Sequence, residues 1–108
     1  MKAYEQIRIN KEVLENYAGA RAAIEEGPFY YATPVRLRSC KARVRATSWY
    51  TFLISYNTMV AFIDNQTGIG YDVLRYVYGY TATSAQHIFK FFEDYKPNKI
   101  LTYRGRVS

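Results

Sequence analysis

The period of the hydrophobic positions changes along the chain, and each change predicts a different element. Apolar side chains recur every three or four positions in the first quarter, at Val13, Leu14, Tyr17, Ala20 and Ile24. This is the period of an amphipathic helix, for which Asn10 is a suitable N-cap and Gly27-Pro28 a stop signal. We predict a first helix at about residues 11–26, preceded by a short strand within residues 1–9.

Three segments rich in aromatic and β-branched residues predict strands. They are residues 48–56 (SWYTFLISY), 58–64 (TMVAFID) and 69–80 (IGYDVLRYVYGY). The connections between them are too short for a parallel crossover, which favours an antiparallel meander. Alternation along the third segment predicts one face made of Asp72, Leu74, Tyr76, Tyr78 and Tyr80. A last short strand is expected within residues 99–107.

Residues 81–96 return to a helical period. Thr83 with Gln86 fits a capping box, and Pro97 ends the segment. An apolar stripe follows from the helical spacing of Ile88, Phe91, Phe92 and Tyr95. The sequence therefore predicts an α+β fold in which two amphipathic helices pack with a small antiparallel sheet of about four to five strands.

Length and composition favour a single folded domain over residues 1–108. The chain is 49% hydrophobic, which is too apolar for a disordered protein. Cys40 is the one cysteine, so an internal disulfide is excluded; it alternates with Ala42 and Val44 and is expected to be a small buried residue. The N-terminal residues do not resemble a signal peptide, and no apolar run is long enough for a membrane helix. These features predict a cytoplasmic protein without membrane contact.

The charge is concentrated in the stretch VRLRSCKARVR, residues 35–45. The chain has a formal net charge of +6, and residues 31–63 hold five basic and no acidic side chains, namely Arg36, Arg38, Lys41, Arg43 and Arg45. In a regular strand the side chains of Arg36 and Arg38 would point to one face, and those of Lys41, Arg43 and Arg45 to the other. A bulge or a turn is therefore expected between the two groups. The stretch is a candidate contact for nucleic acid or an effector complex, because Lys and Arg neutralise phosphates. A solvated edge strand and a site for an acidic protein surface remain alternatives.

The aromatic residues supply a second candidate surface. Tyrosine is common at protein interfaces, and exposed rings stack on nucleic-acid bases. We expect a possible interface at Trp49, Tyr50, Tyr76, Tyr78 and Tyr80, and Tyr30 and Tyr31 are further stacking candidates. Ordinary sheet packing is the alternative for Tyr76, Tyr78 and Tyr80.

Candidate chemistry for catalysis is sparse. The chain has one histidine, His87, and one cysteine, and it contains no metal-binding or phosphate-cradling motif. Spacing alone does not exclude a Cys40–His87 nucleophile pair or a Ser/Thr hydroxyl near His87. A single histidine beside an apolar stripe is more often structural. We therefore predict a non-enzymatic protein with no catalytic residue, no metal and no cofactor.

The segments SYNTMVAFID and YVYGYTATSAQHIFKFF resemble small uncharacterised proteins encoded by phages and mobile elements of gut bacteria. The matching positions are Ser55, Tyr56, Asn57, Thr58, Tyr80, Thr83, Ser84, His87 and Ile88, within about residues 50–95. The resemblance carries over no catalytic residue. It implies a binding protein that inhibits a host nucleoprotein defence effector in the bacterial cytoplasm, first of all an anti-CRISPR inhibitor of an RNA-guided nuclease.

Two other functions also fit the sequence. One is a stand-alone DNA- or RNA-binding regulator, and the other is an enzyme that uses His87. A homodimer is a further possibility, because an exposed strand can pair with its counterpart in a second copy.

Overall fold

The computed structural model describes residues 6–26, 33–38 and 41–103. In chain order its elements are β1 (Gln6–Ile9), α1 (Lys11–Glu15), α2 (Ala18–Glu26), β2 (Val35–Arg36), β3 (Ala42–Ala46), β4 (Tyr50–Ser55), β5 (Thr58–Asp64), β6 (Ile69–Asp72), α3 (Leu74–Val77), α4 (Ala82–Tyr95) and β7 (Lys99–Tyr103). No helix among these residues has the length and apolar character to cross a bilayer. The α+β class agrees with the prediction.

The strands form one seven-stranded mixed sheet in the order β1-β7-β6-β5-β4-β3-β2. Strands β2 to β6 pair antiparallel, whereas β7 lies parallel to both β1 and β6. The prediction of four to five antiparallel strands was therefore too small and missed the parallel part. The connection from β6 to β7 contains α3 and α4, which is long enough for a crossover.

Helices cover both faces of this sheet. One face packs against α4, with Ile88, Phe91 and Phe92 in the core. The other face packs against α1 and α2 around Phe52 and Phe62. Burial on both faces explains why β4 and β5 are almost continuously apolar, because neither strand has a solvent-facing side.

The predicted first helix is broken into two. Its N-cap is Asn10, as predicted, with the side-chain oxygen accepting a hydrogen bond from the Val13 N–H at 2.9 Å. Helix α1 ends at Glu15, and α2 brings a run of small residues to the sheet. A Cβ at Gly19 would lie 2.8 Å from the Asp64 carboxylate, and the Tyr50 hydroxyl donates to the Gly19 carbonyl at 3.1 Å. The small side chains thus allow a close approach that an unbroken amphipathic stripe does not predict.

The long strand predicted over residues 69–80 ends at Asp72. The Asp72 carboxylate accepts a hydrogen bond from the Leu74 N–H at 3.2 Å, a local turn that favours the start of α3. The chain leaves α3 through Gly79, whose φ of +120° is open to glycine at little cost. The predicted face shared by Tyr76, Tyr78 and Tyr80 is therefore wrong, because none of the three lies on a strand.

Helix α4 lies where it was predicted but is capped two residues earlier. The Ser84 N–H donates to the Thr81 hydroxyl at 3.2 Å, so Thr81 and not Thr83 is the N-cap. Lys96, with a φ of +49°, and then Pro97 end the helix. Within the predicted stripe, Tyr95 is 43% exposed while the other three side chains are buried.

Several sequence-based expectations fall on residues outside the described ranges. They are the stop signal at Gly27-Pro28, the stacking candidates Tyr30 and Tyr31, the burial of Cys40, and the end of the last strand at residues 104–107.

Candidate nucleic-acid interface

The basic stretch is a hairpin of β2 and β3 and not one continuous strand. The predicted bulge or turn itself includes Ser39 and Cys40, which lie outside the described residues. Strands β2 and β3 pair antiparallel with Val35 opposite Val44 and Arg36 opposite Arg43. The Leu37 N–H donates to the Ala42 carbonyl at 2.9 Å just before the chain reverses. Two arginines therefore face each other across one ladder, an arrangement that is unfavourable without a counter-ion because like charges repel.

Three of the five predicted basic residues surround one concavity. Arg36, Lys41 and Arg43 are all exposed and line an open cavity of about 360 Å³ together with Ala42, Tyr56 and Asn57. Among the described residues, no acidic side chain belongs to this lining. We call it the basic cavity; its charge and openness suit a phosphate group.

Arg38 is directed away from this cavity to helix α4. Its guanidinium donates to both carboxylate oxygens of Asp94, at 2.6 and 2.9 Å, and to Glu93 at 2.9 Å. The hydrogen bonds to Asp94 and then Glu93 raise the pKa of Arg38, and Arg38 in turn lowers the pKa of Asp94. Arg38 therefore ties the hairpin to α4, with its charge balanced. The fifth residue, Arg45, is half-buried opposite Phe52.

The turn between β4 and β5 presents Tyr56 and Asn57 beside the basic cavity. Tyr56 is 52% exposed, and its ring centroid lies 5.8 Å from that of His87 on α4. His87 Nδ1 is 2.8 Å from the Ser55 hydroxyl, which is 2.8 Å from the hydroxyl of Ser84. This buried chain of contacts fixes the turn, and with it the Tyr56 ring, against the start of α4.

A second cavity lies at the same turn. Its volume is about 400 Å³, and its lining consists of Ser55, Tyr56, Asn57, Thr58, Val60, Tyr78, Thr81, Thr83 and Ser84. We call it the hydroxyl cavity, since most of these side chains carry a hydroxyl group. It shares Tyr56 and Asn57 with the basic cavity. Charge and periodicity had not marked Tyr56 and Asn57 as site residues, and the structure places both where the two cavities meet.

The predicted interface aromatics are dispersed. Tyr78 is 69% exposed and lines the hydroxyl cavity. Trp49 is 58% exposed but precedes β4, at the opposite end of that strand from Tyr56. The Tyr76 hydroxyl donates to Glu15 at 3.1 Å, and Tyr80 lies under the Arg75 guanidinium at 4.6 Å. Tyr50 is half-buried, and its hydroxyl donates a hydrogen bond to α2. The five predicted aromatic residues therefore do not form one surface.

The Ser55–His87 contact has the geometry of a nucleophile–base pair but not its surroundings. The Ser55 and His87 residues are only 2% and 4% exposed. Within the described residues the hydrogen bond of His87 is to Ser55, and no carboxylate orients its ring. The same part of the chain holds no group of three or more metal-ligating side chains. The arrangement suits an anchor between β4 and α4.

The buried histidine predicts a loss of stability in mild acid. Burial, and to a smaller extent the charge of Lys90, lower the pKa of His87 below its ordinary value. As the pH falls below about 6.5 the unfolded chain binds a proton first. The free energy of unfolding should therefore be level above that pH and decline below it, until the folded pKa is reached.

Urea denaturation between pH about 8 and about 5 measures this decline. His87→Gln should remove it. The Asp94–Arg38 pair does not interfere, because Asp94 titrates only in stronger acid. Equal pH profiles for wild type and His87→Gln would show that His87 does not control acid stability.

Comparison of the chain with protein-family models, with curated proteins and with solved structures found no match. What supports a function is therefore the geometry of this chain: a basic cavity and a hydroxyl cavity that meet at Tyr56 and Asn57.

Proposed function

We propose that the protein is a non-enzymatic binding protein that holds the phosphate backbone of nucleic acid, either free or within a host nucleoprotein effector. The observation that carries this proposal is the basic cavity. Arg36, Lys41 and Arg43 line it, and the part of the chain that the structure describes adds no acidic side chain to the lining. Two of the three face each other across a strand pair.

A phosphate group is the natural counter-ion for this arrangement. Guanidinium groups donate two parallel hydrogen bonds to phosphate oxygens, and the ammonium group adds a mobile point charge. A bound phosphate would also relieve the repulsion between Arg36 and Arg43. Arg38 is not expected to bind phosphate in this way, because its guanidinium is already paired with Asp94 and Glu93.

The resemblance to phage and mobile-element proteins suggests where this binding takes place. In that setting the partner is an RNA-guided nuclease of the host, and the phosphates belong to its guide RNA or to displaced DNA. The protein would then be an anti-CRISPR inhibitor. The alternative is a stand-alone regulator. It would bind free nucleic acid without needing a nuclease effector.

The burial of Ser55 and His87 supports a function without catalysis. A general base must lie within hydrogen-bond reach of the substrate proton that it removes. Both side chains are instead engaged in joining β4 to α4.

Fluorescence anisotropy with labelled nucleic acid tests the proposal. We expect micromolar or tighter binding at low salt. Three phosphate contacts predict that log K falls against log salt concentration with a slope of about −2 to −3. Absence of binding to any nucleic acid at low salt would refute phosphate binding by the free protein. Capture by a nuclease effector with its guide RNA, but not without it, would then identify the nucleoprotein as the target.

A further inference from the structure

The two cavities form one continuous surface around a single aromatic ring. Tyr56 and Asn57 line both, so a ligand that fills the basic cavity reaches the hydroxyl cavity by passing over the β4–β5 turn. One side of the turn offers three cations, and the other offers hydroxyl groups and the exposed ring of Tyr78. The three groups match three parts of a nucleotide. The cations suit its phosphate, the aromatic ring suits the face of its base, and the hydroxyl groups suit the hydrogen-bonding edge of the base.

The Tyr56 ring is held in place before any ligand arrives. The residue adopts a φ of +60°, and its ring packs beside the ring of His87. His87 is itself fixed through Ser55 and Ser84. A ring that is already ordered loses little conformational entropy when a base stacks on it, so the contact retains more of its free energy.

Accessible bases are needed for this mode of contact. In a duplex the faces of the bases are stacked on one another, and protein rings do not reach them. In a single strand the bases can turn outward and stack on aromatic side chains, which contributes about 1–3 kcal/mol per base.

We propose that this surface is a single-strand site, in which a phosphate of DNA or RNA lies in the basic cavity and a neighbouring base stacks on Tyr56 at the mouth of the hydroxyl cavity. The inference rests on the proposed function, and it adds the class of nucleic acid and the residue that contacts the base. The shared chemistry is that of an unpaired nucleotide, whichever sugar it carries.

The test measures the affinities of wild type, Tyr56→Leu and Tyr56→Phe for four probes of equal length. The probes are single-stranded DNA, single-stranded RNA, a DNA duplex and an abasic strand that keeps the phosphates but lacks bases. Wild type should bind the single strands more tightly than the duplex. Tyr56→Leu should weaken single-strand binding about tenfold, the loss of one stacking contact. Its affinity for the abasic strand should fall much less, because that strand has no base to stack on the ring. Tyr56→Phe keeps the ring and should bind like wild type.

Equal binding of duplex and single strand, or an unchanged affinity of Tyr56→Leu for base-bearing strands, overturns the single-strand site while phosphate binding stands. Failure of every probe to bind overturns the single-strand site together with phosphate binding by the free protein, and leaves the nucleoprotein effector to the capture experiment described above. A difference in affinity between single-stranded RNA and single-stranded DNA shows which of the two the site prefers.

A spectroscopic variant keeps the test valid if Tyr56→Leu folds poorly. Tyr56→Trp combined with Trp49→Phe leaves one tryptophan, placed at the β4–β5 turn. Base-bearing single strands should quench its fluorescence, and the abasic strand should not. Binding without differential quenching would show that no base lies on this ring.

Discussion

Reversal of the three charges in the basic cavity is expected to abolish nucleic-acid binding at low salt. The triple variant Arg36→Glu/Lys41→Glu/Arg43→Glu removes charged hydrogen bonds to phosphate, each of which contributes about 1.5–3 kcal/mol. Affinity should therefore fall by more than about 100-fold, and the salt slope should fall by about 2 to 3 units. Fluorescence anisotropy at several salt concentrations measures both quantities.

A matched control separates this site from the general charge of the protein. Arg8 lies on β1, at the opposite edge of the sheet from β2, and Lys11 and Arg21 lie on α1 and α2. None of the three lines the basic cavity. Reversing these three also brings the formal net charge from +6 to zero. The control triple should retain most of the binding. Equal losses of affinity in the two triples would mean that net charge, and not the basic cavity, attracts the ligand.

Arg38 provides a second control within the same hairpin. Arg38→Gln removes one positive charge, as Arg43→Gln does, but the guanidinium of Arg38 is already bound to Asp94 and Glu93. We expect Arg43→Gln to reduce the salt slope by about one unit and Arg38→Gln to leave it nearly unchanged.

The largest effect on stability is expected from Phe62→Ala. Phe62 is fully buried in β5, where its ring stacks on that of Tyr71 at a centroid distance of 4.7 Å and meets the ring of Tyr50 edge-on at 6.0 Å. Truncation of such a ring costs about 3–5 kcal/mol. Domains of this size have a total free energy of unfolding of about 5–15 kcal/mol, so the variant should be close to unfolding at moderate temperature.

Urea denaturation followed by circular dichroism measures this destabilisation. Trp49→Ala is the control, because Trp49 is exposed and its truncation should change the free energy of unfolding by less than about 0.5 kcal/mol. A decrease below about 1 kcal/mol in Phe62→Ala would show that the core on the α1–α2 side of the sheet repacks around the gap.

The elements predicted correctly from the sequence are those that depend on local pattern. Strands β4 and β5 and helix α4 carry strong periodic or apolar runs, and the Asn10 cap depends on the next turn of chain. The mixed sheet depends instead on β1 and β7, which pair from opposite ends of the chain. No local pattern contains that information.

In the candidate site, too, some features follow from the local sequence and others require the folded chain. The run of basic residues is visible in the sequence, and it does contain the three residues of the basic cavity. Which of the five residues line that cavity depends in part on Glu93 and Asp94 on α4, whose approach to Arg38 requires the folded chain. The position of Tyr56 between two cavities likewise depends on the packing of its turn against His87.

The parallel edge of the sheet also bears on the order in which the protein folds. Strands β3 to β6 follow one another through short turns, so their pairing closes small loops. The pairing of Gln6 with Ile100 closes a loop that spans nearly the whole chain. Pairings of such large sequence separation carry the highest entropic cost of closure and form slowly. During synthesis β1 emerges before β7, so the backbone groups that join it to the sheet stay unpaired until β7 has been made.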